Sequence, residues 1–557
     1  MENKEIAKVM KLGASLMELH GMNQFKVRSF SSAVRKLEGF DFRVSDKSYD
    51  ELVEIDGIGK GLATNLVQVY NTGTFDELQQ LLTDTPQGVV SMLNIKGLGV
   101  KKVQALWKDL GIENKGDLLK ACNDGTVASA KGFGQKTAEN IIAQLMYEEE
   151  QKGKFLYAEI EEYALFLYQA ITPLVSKVEL VGQFRLCREY IDCLQFVVEF
   201  DELSEAHAIL STFGFWIPLP NEASPFVWRG RAPEFDLNIE VIISTNFYND
   251  VLKYSAAPQH LYAKVNDTSL AEIIRNNRLA SEAEGYTKLG YEFVIPELRE
   301  SDLPFTKNID VNSLISMDEL KGVLHNHSTY SDGKNTLREM AEYCKELGYE
   351  YLGISDHSKT AFYANGLDED RIAEQHREID ALNIELAPFK IYKGIESDIL
   401  NDGSLDYDDD VLASFDFIVA SIHSNLNMDK AKATQRLLTA IKNPFTTMLG
   451  HPTGRLLLRR EGYPIDHAQV IDACAEHNVI IEINANPWRL DLDWRWVSYA
   501  MEKGVKISIN PDAHEMNGYH DMKYGVLVGR KGGLTTSMTF NSFSVDEVDA
   551  HFVLKNK

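Results

Sequence analysis

Along the last third of the chain, short apolar runs alternate with amphipathic segments. The runs fall at 322–324, 351–354, 390–395, 417–422, 448–450, 479–483 and 505–509, and helical periodicity marks 336–347, 368–385, 428–441, 467–477 and 493–503. Strand-length runs separated by helix-length patterns predict parallel β/α units, here seven strands in series. The first third reads as all-helical. Ile6 to Leu19 is an amphipathic helix, and Phe25-Lys26-Val27-Arg28-Ser29-Phe30 starts a second that runs to Leu37. Three more helical runs open at Leu62, Val103 and Thr137, each behind a glycine turn. Between these regions, Cys193-Leu194-Gln195-Phe196-Val197 reads as a strand, with positions 193 and 195 on one face and Asp192 on the other.

A length of 557 residues allows about three or four domains, and 44% hydrophobic with 10% aromatic residues supports ordered cores. No apolar run reaches transmembrane length, and the charged segment Met1 to Lys11 has no signal-peptide core, so a cytoplasmic protein with no membrane partner is expected. The five cysteines (Cys122, Cys187, Cys193, Cys344, Cys474) are scattered, odd in number and form no CxxC, which argues against a disulfide framework and a thiolate zinc site. Net charge is −26, which by itself argues against a nucleic-acid partner. The balance is uneven: residues 1–150 hold 18 Lys and Arg against 21 Asp and Glu, so most of the excess acid lies further on.

The three glycine turns share one design. They are Ile55-Asp56-Gly57-Ile58-Gly59-Lys60-Gly61, Ile95-Lys96-Gly97-Leu98-Gly99-Val100-Lys101-Lys102 and Ala130-Lys131-Gly132-Phe133-Gly134-Gln135-Lys136. Glycine permits close backbone approach and positive φ. The helix start that follows offers free N–H groups to an anion, and the nearby lysine adds countercharge. A tight helix–helix turn explains one such segment equally well; three within one region favour contact with phosphates. The segments resemble helix-hairpin-helix motifs, which hold the DNA backbone without reading bases. That resemblance implies DNA contacts at Gly57, Gly59, Lys60, Gly97, Gly99, Lys101, Gly132, Gly134 and Lys136.

Candidate metal ligands follow the barrel strands. His325 and His327 follow the first run, with Asp332 close behind; His357, Glu396, His423 and His451 follow the next four; Asp512 and His514 follow the last. Six of the chain's 14 histidines are in this set. Any one of them could be a buried or capping histidine. Nine at one end of successive strands indicate a closed barrel with a polynuclear centre on that face. The mixed nitrogen and oxygen donors suit Mn²⁺, Zn²⁺ or Fe²⁺ better than Mg²⁺ alone.

Taken together, the order of parts resembles a bacterial family X DNA polymerase carrying a C-terminal polymerase and histidinol phosphatase (PHP) domain. The likeness covers nearly the whole chain. It implies a multidomain α+β and α/β protein: a helical DNA-binding domain with the first hairpin at 1–85 and a hairpin region at 86–150. A nucleotidyltransferase-like palm at 151–235 follows, then the palm remainder and thumb at 236–305, a linker at 306–320, and a distorted (β/α)7 barrel at 321–557. It further implies three divalent metal ions, Mn²⁺ or Zn²⁺ with Fe²⁺ as a further candidate. His325, His327, Glu396 and Asp512 would hold one, Glu396, His423 and His451 a second, and Asp332, His357 and His514 a third. Arg455 is a candidate for binding substrate phosphate, or equally a surface ion pair. Asp356 is expected to orient His357, and Glu482 points into the barrel but matches no family ligand.

The palm departs from the family pattern. Gly182 and Arg185 are present, but Gln183 replaces a serine, and the two metal-binding aspartate positions fall on Cys193 and Gln195. The third carboxylate falls near Phe235-Asp236-Leu237-Asn238-Ile239-Glu240, on Glu240 or Asp236. Of the stretch Leu252-Lys253-Tyr254-Ser255-Ala256-Ala257-Pro258, only the tyrosine matches the family's nucleotide-binding segment. Two-metal nucleotidyl transfer needs carboxylates there, and neither a thiol nor a carboxamide serves a hard cation well. The expected activity is therefore metal-dependent phosphodiester hydrolysis at DNA ends, chiefly 3′→5′ exonuclease on gapped or 3′-ended duplex. Related 3′-end or abasic-site processing in base excision repair is included, and templated polymerisation is expected to be weak or lost. The rival readings are a small-molecule phosphoesterase, a non-catalytic DNA-end-binding scaffold and an active gap-filling polymerase.

Overall fold

In the computed structural model of the chain, all residues are described except 2, 38, 39, 41, 56, 96, 201, 556 and 557. The chain forms two compact units, residues 1–152 and 153–557. Asp56 and Lys96 of the glycine turns lie outside the described residues.

The first unit is helical. Helices α1 (Asn3–Leu19) and α2 (Gln24–Leu37) pack against each other, and α3 (Lys60–Thr72), α4 (Val100–Lys108) and α5 (Gln135–Gln151) follow the three glycine turns. One apolar cluster runs through the unit, from Ile6, Met10 and Leu16 through Leu66, Val103 and Leu106 to Ile141. Ile58 and Leu98, between the paired glycines, are buried in it. The first two turns are thus fixed by their apolar residues while their glycines stay at the surface, and Phe133 of the third packs half-buried against the same cluster.

The second unit contains two large sheets, besides two short two-stranded ribbons. The smaller consists of β1 (Lys177–Val181), β2 (Cys193–Glu199), β3 (Ile217–Pro218), β4 (Val227–Arg231) and β5 (Asn238–Ile243), in the order β1-β2-β5-β4-β3. β2 and β5 are parallel, which sets Gln195 beside Glu240; the other pairs are antiparallel. Cys193 and Gln195 are half-buried while Leu194 and Phe196 are fully buried, the alternation expected of a strand with one covered face.

The larger sheet is parallel and strictly sequential: β6 (Gly322–Val323), β7 (Tyr351–Ile354), β8 (Lys390–Asp398), β9 (Phe417–Ser421), β10 (Met448–Leu449), β11 (Ile480–Asn484) and β12 (Ile507–Asn510). A parallel bridge between Asn326 and Ala513 joins the last strand back to the first and closes the barrel. The outer layer includes α6 (Leu337–Glu346), α7 (Glu369–Glu385), α8 (Lys430–Ile441), α9 (His467–Glu476), α10 (Trp494–Glu502) and α11 (Met522–Lys531). The (β/α)7 reading of the sequence therefore holds, with strands and helices close to where periodicity put them.

The barrel interior has two zones. One end is plugged by Tyr351, Tyr392, Phe417, Met448 and Ile480, together with Phe552 of the C-terminal helix α12 (Val545–Lys555). Space for these rings comes from glycine: a Cβ on Gly394 would lie 2.2 Å from the Phe417 ring. Removing such a ring costs about 3–5 kcal/mol. Toward the strand C-termini the interior turns polar, with Ser355, Glu482, Asn484, Ser508 and Asn510 buried. Ion pairs tie the barrel's helix α11 to the rest of the unit: Lys523 to Glu161 at 2.6 Å, Arg530 to Glu297 at 3.0 Å, and the buried Lys531 to Glu300.

Candidate metal centre

The strand ends carry all nine candidate ligands to one place. Glu396, buried at the C-terminal part of β8, is the hub. Its Oε1 lies 3.3 Å from His325 Nε2, 3.1 Å from His423 Nε2 and 3.0 Å from His451 Nε2, and its Oε2 lies 2.9 Å from His357 Nδ1. Asp512 Oδ1 is 3.1 Å from His327 Nε2 and 3.6 Å from His325 Nε2. Asp332 Oδ1 is 3.6 Å from His357 Nε2 and 3.3 Å from His514 Nε2. Three groups of donors converge: His327, Asp332, His357 and His514; His325, His327 and Asp512; and His357, Glu396 and His423. Asp512 has a φ of +52°, a left-handed conformation that Asp tolerates better than most residues. It lies just past the end of β12.

The donor set fits divalent cations. His325 Nε2, His357 Nδ1 and Glu396 Oε2 are buried and have no hydrogen-bond partner, although each lies close to other donor atoms of the cluster. Buried polar atoms are rarely left unmatched unless another group completes them. The protonation balance has the same origin. Burial works against charge at His423, but Glu396 and Asp398 push it up to about 10; Asp332 and Asp512 likewise raise His514 to about 9. Burial and the neighbouring His514 and His357 hold His327 down at about 3. Despite burial, the surrounding histidines keep Glu396 and Asp512 well below the usual carboxylate range. A divalent cation held by these residues would supply the positive charge that balances the buried carboxylates.

Behind the ligands stand residues that fix them. Glu482 Oε1 accepts from His325 Nδ1 at 2.7 Å and from Asn510 Nδ2 at 3.0 Å, and its Oε2 accepts from the His451 backbone N–H at 2.8 Å. Glu482, which matches no family ligand, thus holds His325 with Nε2 facing the centre. Asp398 does the same for His423, its Oδ1 2.5 Å from Nδ1. Sequence reading missed Asp398, although it lies two residues beyond Glu396 on the same strand. Asp356 corrects an expectation: its carboxylate accepts from Ser328 N–H and Oγ, from Ser331 and from Gln375, not from His357. It shapes the loop between His327 and Asp332.

Arg455 does not join the cluster's hydrogen bonds. Its Nε donates to the Arg489 carbonyl at 2.8 Å, its NH1 to Asp493 at 2.6 Å and its NH2 to the Leu490 carbonyl. It therefore holds the segment bearing Arg489, whose Nε lies 3.4 Å from Asp512 Oδ2. Arg489 was absent from the candidate residues; nothing in its local sequence marks it.

In the smaller sheet, Cys193, Gln195 and Glu240 share one face beside a 370 Å³ cavity. Glu240, and not Asp236, shares the face of Gln195. Its Oε1 accepts from Arg229 Nε at 2.7 Å and its Oε2 from Gln195 Nε2 at 2.8 Å, whereas Asp236 pairs with Arg231 at an exposed turn. Burial and the nearby Glu240 push the Cys193 thiol up to about 12, so it stays neutral. Asp192 corrects the alternation argument: β2 begins only at Cys193, and Asp192 lines the same cavity. Arg185 is bound to Glu282 at 2.6 Å and to Ser255 at 3.1 Å.

The hairpins repeat one geometry. Gly57, Gly97 and Gly132 have φ of 84°, 85° and 87°, where a side chain would be strained. Gly59, Gly99 and Gly134 are the N-caps of α3, α4 and α5, with no side chain capping the helix start. Lys60, Lys101 and Lys136 are exposed beside these open N–H groups, the arrangement an incoming phosphate needs.

Known proteins match along the whole chain. A helix-hairpin-helix domain matches residues 1–75, a SAM-like helix-hairpin-helix tandem residues 89–146, and a PHP domain residues 324–486. The DNA polymerase/3′-5′ exonuclease PolX of Bacillus subtilis (strain 168) is 36% identical over all of this chain and all of its own. A probable phosphatase of Thermoanaerobacter sp. (strain X514) is 27% identical over 40% of this chain and 91% of its own length. A probable phosphatase of Vibrio atlanticus (strain LGP32) is 31% identical over 35% and 79%. Among the described residues, no helix is long and apolar enough to cross a membrane.

Proposed function

Because the chain belongs to the PolX family of DNA polymerases/3′-5′ exonucleases, we propose that its barrel hydrolyses phosphodiester bonds at DNA 3′ ends while its palm adds no nucleotides on a template. The chain is a DNA-processing enzyme with a hydrolase domain. The finer reading is supported by one observation, the convergence of six histidines on the carboxylates of Glu396, Asp512 and Asp332 with buried donors left open. His325, His327, Glu396 and Asp512 would hold one cation, Glu396, His423 and His451 a second, and Asp332, His357 and His514 a third, of Mn²⁺, Zn²⁺ or Fe²⁺. Bound there, divalent cations supply Lewis-acid stabilisation of the phosphoryl oxygens and lower the pKa of water.

The chain's own residues supply the order. Glu482 and Asp398 hold His325 and His423 by Nδ1, so that Nε2 faces inward. Arg455 fixes the backbone of Arg489, and Arg489 carries the positive charge that meets the substrate phosphate. In the first unit, Gly57, Gly59 and Lys60, Gly97, Gly99 and Lys101, and Gly132, Gly134 and Lys136 bind backbone phosphates of gapped or 3′-ended duplex. In the palm, Glu240 is the one carboxylate among the three metal positions, and Arg229 already neutralises it. The reading places the protein in excision repair, trimming ends for others to fill.

A second reading, phosphomonoester hydrolysis, is favoured by the likeness of the barrel alone to probable phosphatases. Metal analysis of the purified protein, followed by turnover of a 3′-ended oligonucleotide and of p-nitrophenyl phosphate, separates the two. Bound metal with a large preference for the oligonucleotide supports the nuclease. The reverse preference supports the phosphatase, and a metal-free, inert protein removes both.

A further inference from the structure

Two aromatic rings stand uncovered at the edge of the metal centre. Phe362 is 86% exposed and Tyr363 62% exposed, and both lie on the turn Phe362–Ala364, in the loop that leaves β7 through His357. The Tyr363 ring centroid is 6.4 Å from that of His357, and the Phe362 and Tyr363 rings are 6.2 Å apart. A lone exposed aromatic needs no explanation. An adjacent pair beside a phosphate-cleaving site calls for one, because keeping apolar rings in water is unfavourable.

The loop is not slack. Leu367 N–H donates to the His357 carbonyl at 2.8 Å, and Ser358 N–H to the Glu396 carbonyl at 3.1 Å. Thr360 N–H donates to Asp406 at 2.7 Å and its hydroxyl to Asp398 at 3.2 Å. These bonds run from the loop straight to a ligand, His357, to the hub, Glu396, and to the residue that holds His423. The rings are therefore presented on a backbone fixed by the metal centre itself, and little conformational entropy is lost when something flat settles on them.

Resting on the nuclease reading above, we propose that Phe362 and Tyr363 form a shelf on which the unpaired bases at the 3′ end of a DNA strand stack while their phosphate lies at the centre. Stacking on aromatic rings tolerates any sequence, because every base has a π-face, and it requires bases released from their partners. The shelf thus selects an unpaired end over a paired one. It also separates a polynucleotide from a small phosphate ester, which has no base to place there.

The test uses the full-length protein without added metal and a single-stranded oligonucleotide with 2-aminopurine as its 3′-terminal base. Stacking on the shelf quenches the probe. The variant Phe362→Ala/Tyr363→Ala is expected to lose the quenching and to bind the 3′ end about tenfold more weakly, within the range that base–aromatic stacking supplies. Phe362→Trp is expected to keep it. Both rings are exposed, so these changes leave the core intact. With Mn²⁺ added, the ratio of turnover on a normal 3′ end to turnover on one ending in abasic residues is expected to fall about tenfold in the double variant. Quenching that persists in the double alanine variant, or equal losses on the two substrates, overturns the shelf. Quenching by wild type without cleavage of any oligonucleotide overturns the nuclease reading and retains the shelf; cleavage without quenching does the opposite.

Discussion

Glu240 in the palm and Glu396 in the barrel are both strand carboxylates facing a site, and the chain answers them differently. Around Glu240 the countercharge is a side chain of the fold: Arg229 Nε sits 2.7 Å away and Gln195 takes the other oxygen. Around Glu396 the neighbours are imidazoles, and Oε2 stays without a hydrogen bond although the residue is 1% exposed. A buried anion must be compensated. An arginine closes the question within the fold, whereas a ring of histidines leaves it to a cation from solution. What marks a metal site is therefore less the number of acids than which donors the protein leaves unmatched.

The largest expected effect tests this contrast directly. Glu396→Gln should lower hydrolysis by more than about a hundredfold, beyond the loss typical of residues that only support ligands, and should reduce bound metal per chain. Glu240→Gln, in the other sheet, should leave hydrolysis within about twofold. Equal losses would mean that the two sites work together. Next come the residues behind the ligands: Glu482→Gln and Asp398→Asn should each cost about 10- to 100-fold in metal affinity or activity, read by metal titration and by rate. An unchanged titration would make Glu482 a packing residue only.

Smaller effects sharpen the comparison. Lys60→Ala, Lys101→Ala and Lys136→Ala should each weaken duplex binding uniformly across sequences and reduce the salt slope by about one. A loss that depends on sequence would contradict a role in gripping the backbone. The least effect concerns acid stability. Burial opposes charge on Glu282, but Arg299 and Arg185 hold its carboxyl below the ordinary value of 4.5. A depressed carboxyl contributes stability above its unfolded value and loses it as pH falls through the folded one. Resistance to urea should therefore decline as pH drops below 4.5, and Glu282→Gln should flatten that decline. A decline as steep in the variant as in wild type would assign it to other groups.

The barrel was legible in the sequence, and so was the clustering of the candidate ligands, because they lie at or just past the ends of strands that local periodicity locates. The roles of Asp398 and Glu482 were not, since they depend on partners 25 and 157 positions away across the barrel. Arg229 was hidden for the same reason: it reaches Glu240 only because β4 pairs with β5. Alternation misplaced Asp192 because it assumes a strand already under way, and β2 starts one residue later. Asp356 was misassigned because adjacency to a ligand does not say which way a carboxylate turns. Short-range pattern thus places ligands, while the groups that tune or neutralise them emerge only from the pairing of strands.

The most direct measurement is the fate of a 5′-labelled primer on a gapped template with Mn²⁺ and dNTPs, run with wild type and with His325→Ala. Shortening by wild type, its loss in His325→Ala and extension by neither is the expected result. Extension of the primer, or shortening that survives in His325→Ala, would contradict the division of labour between barrel and palm.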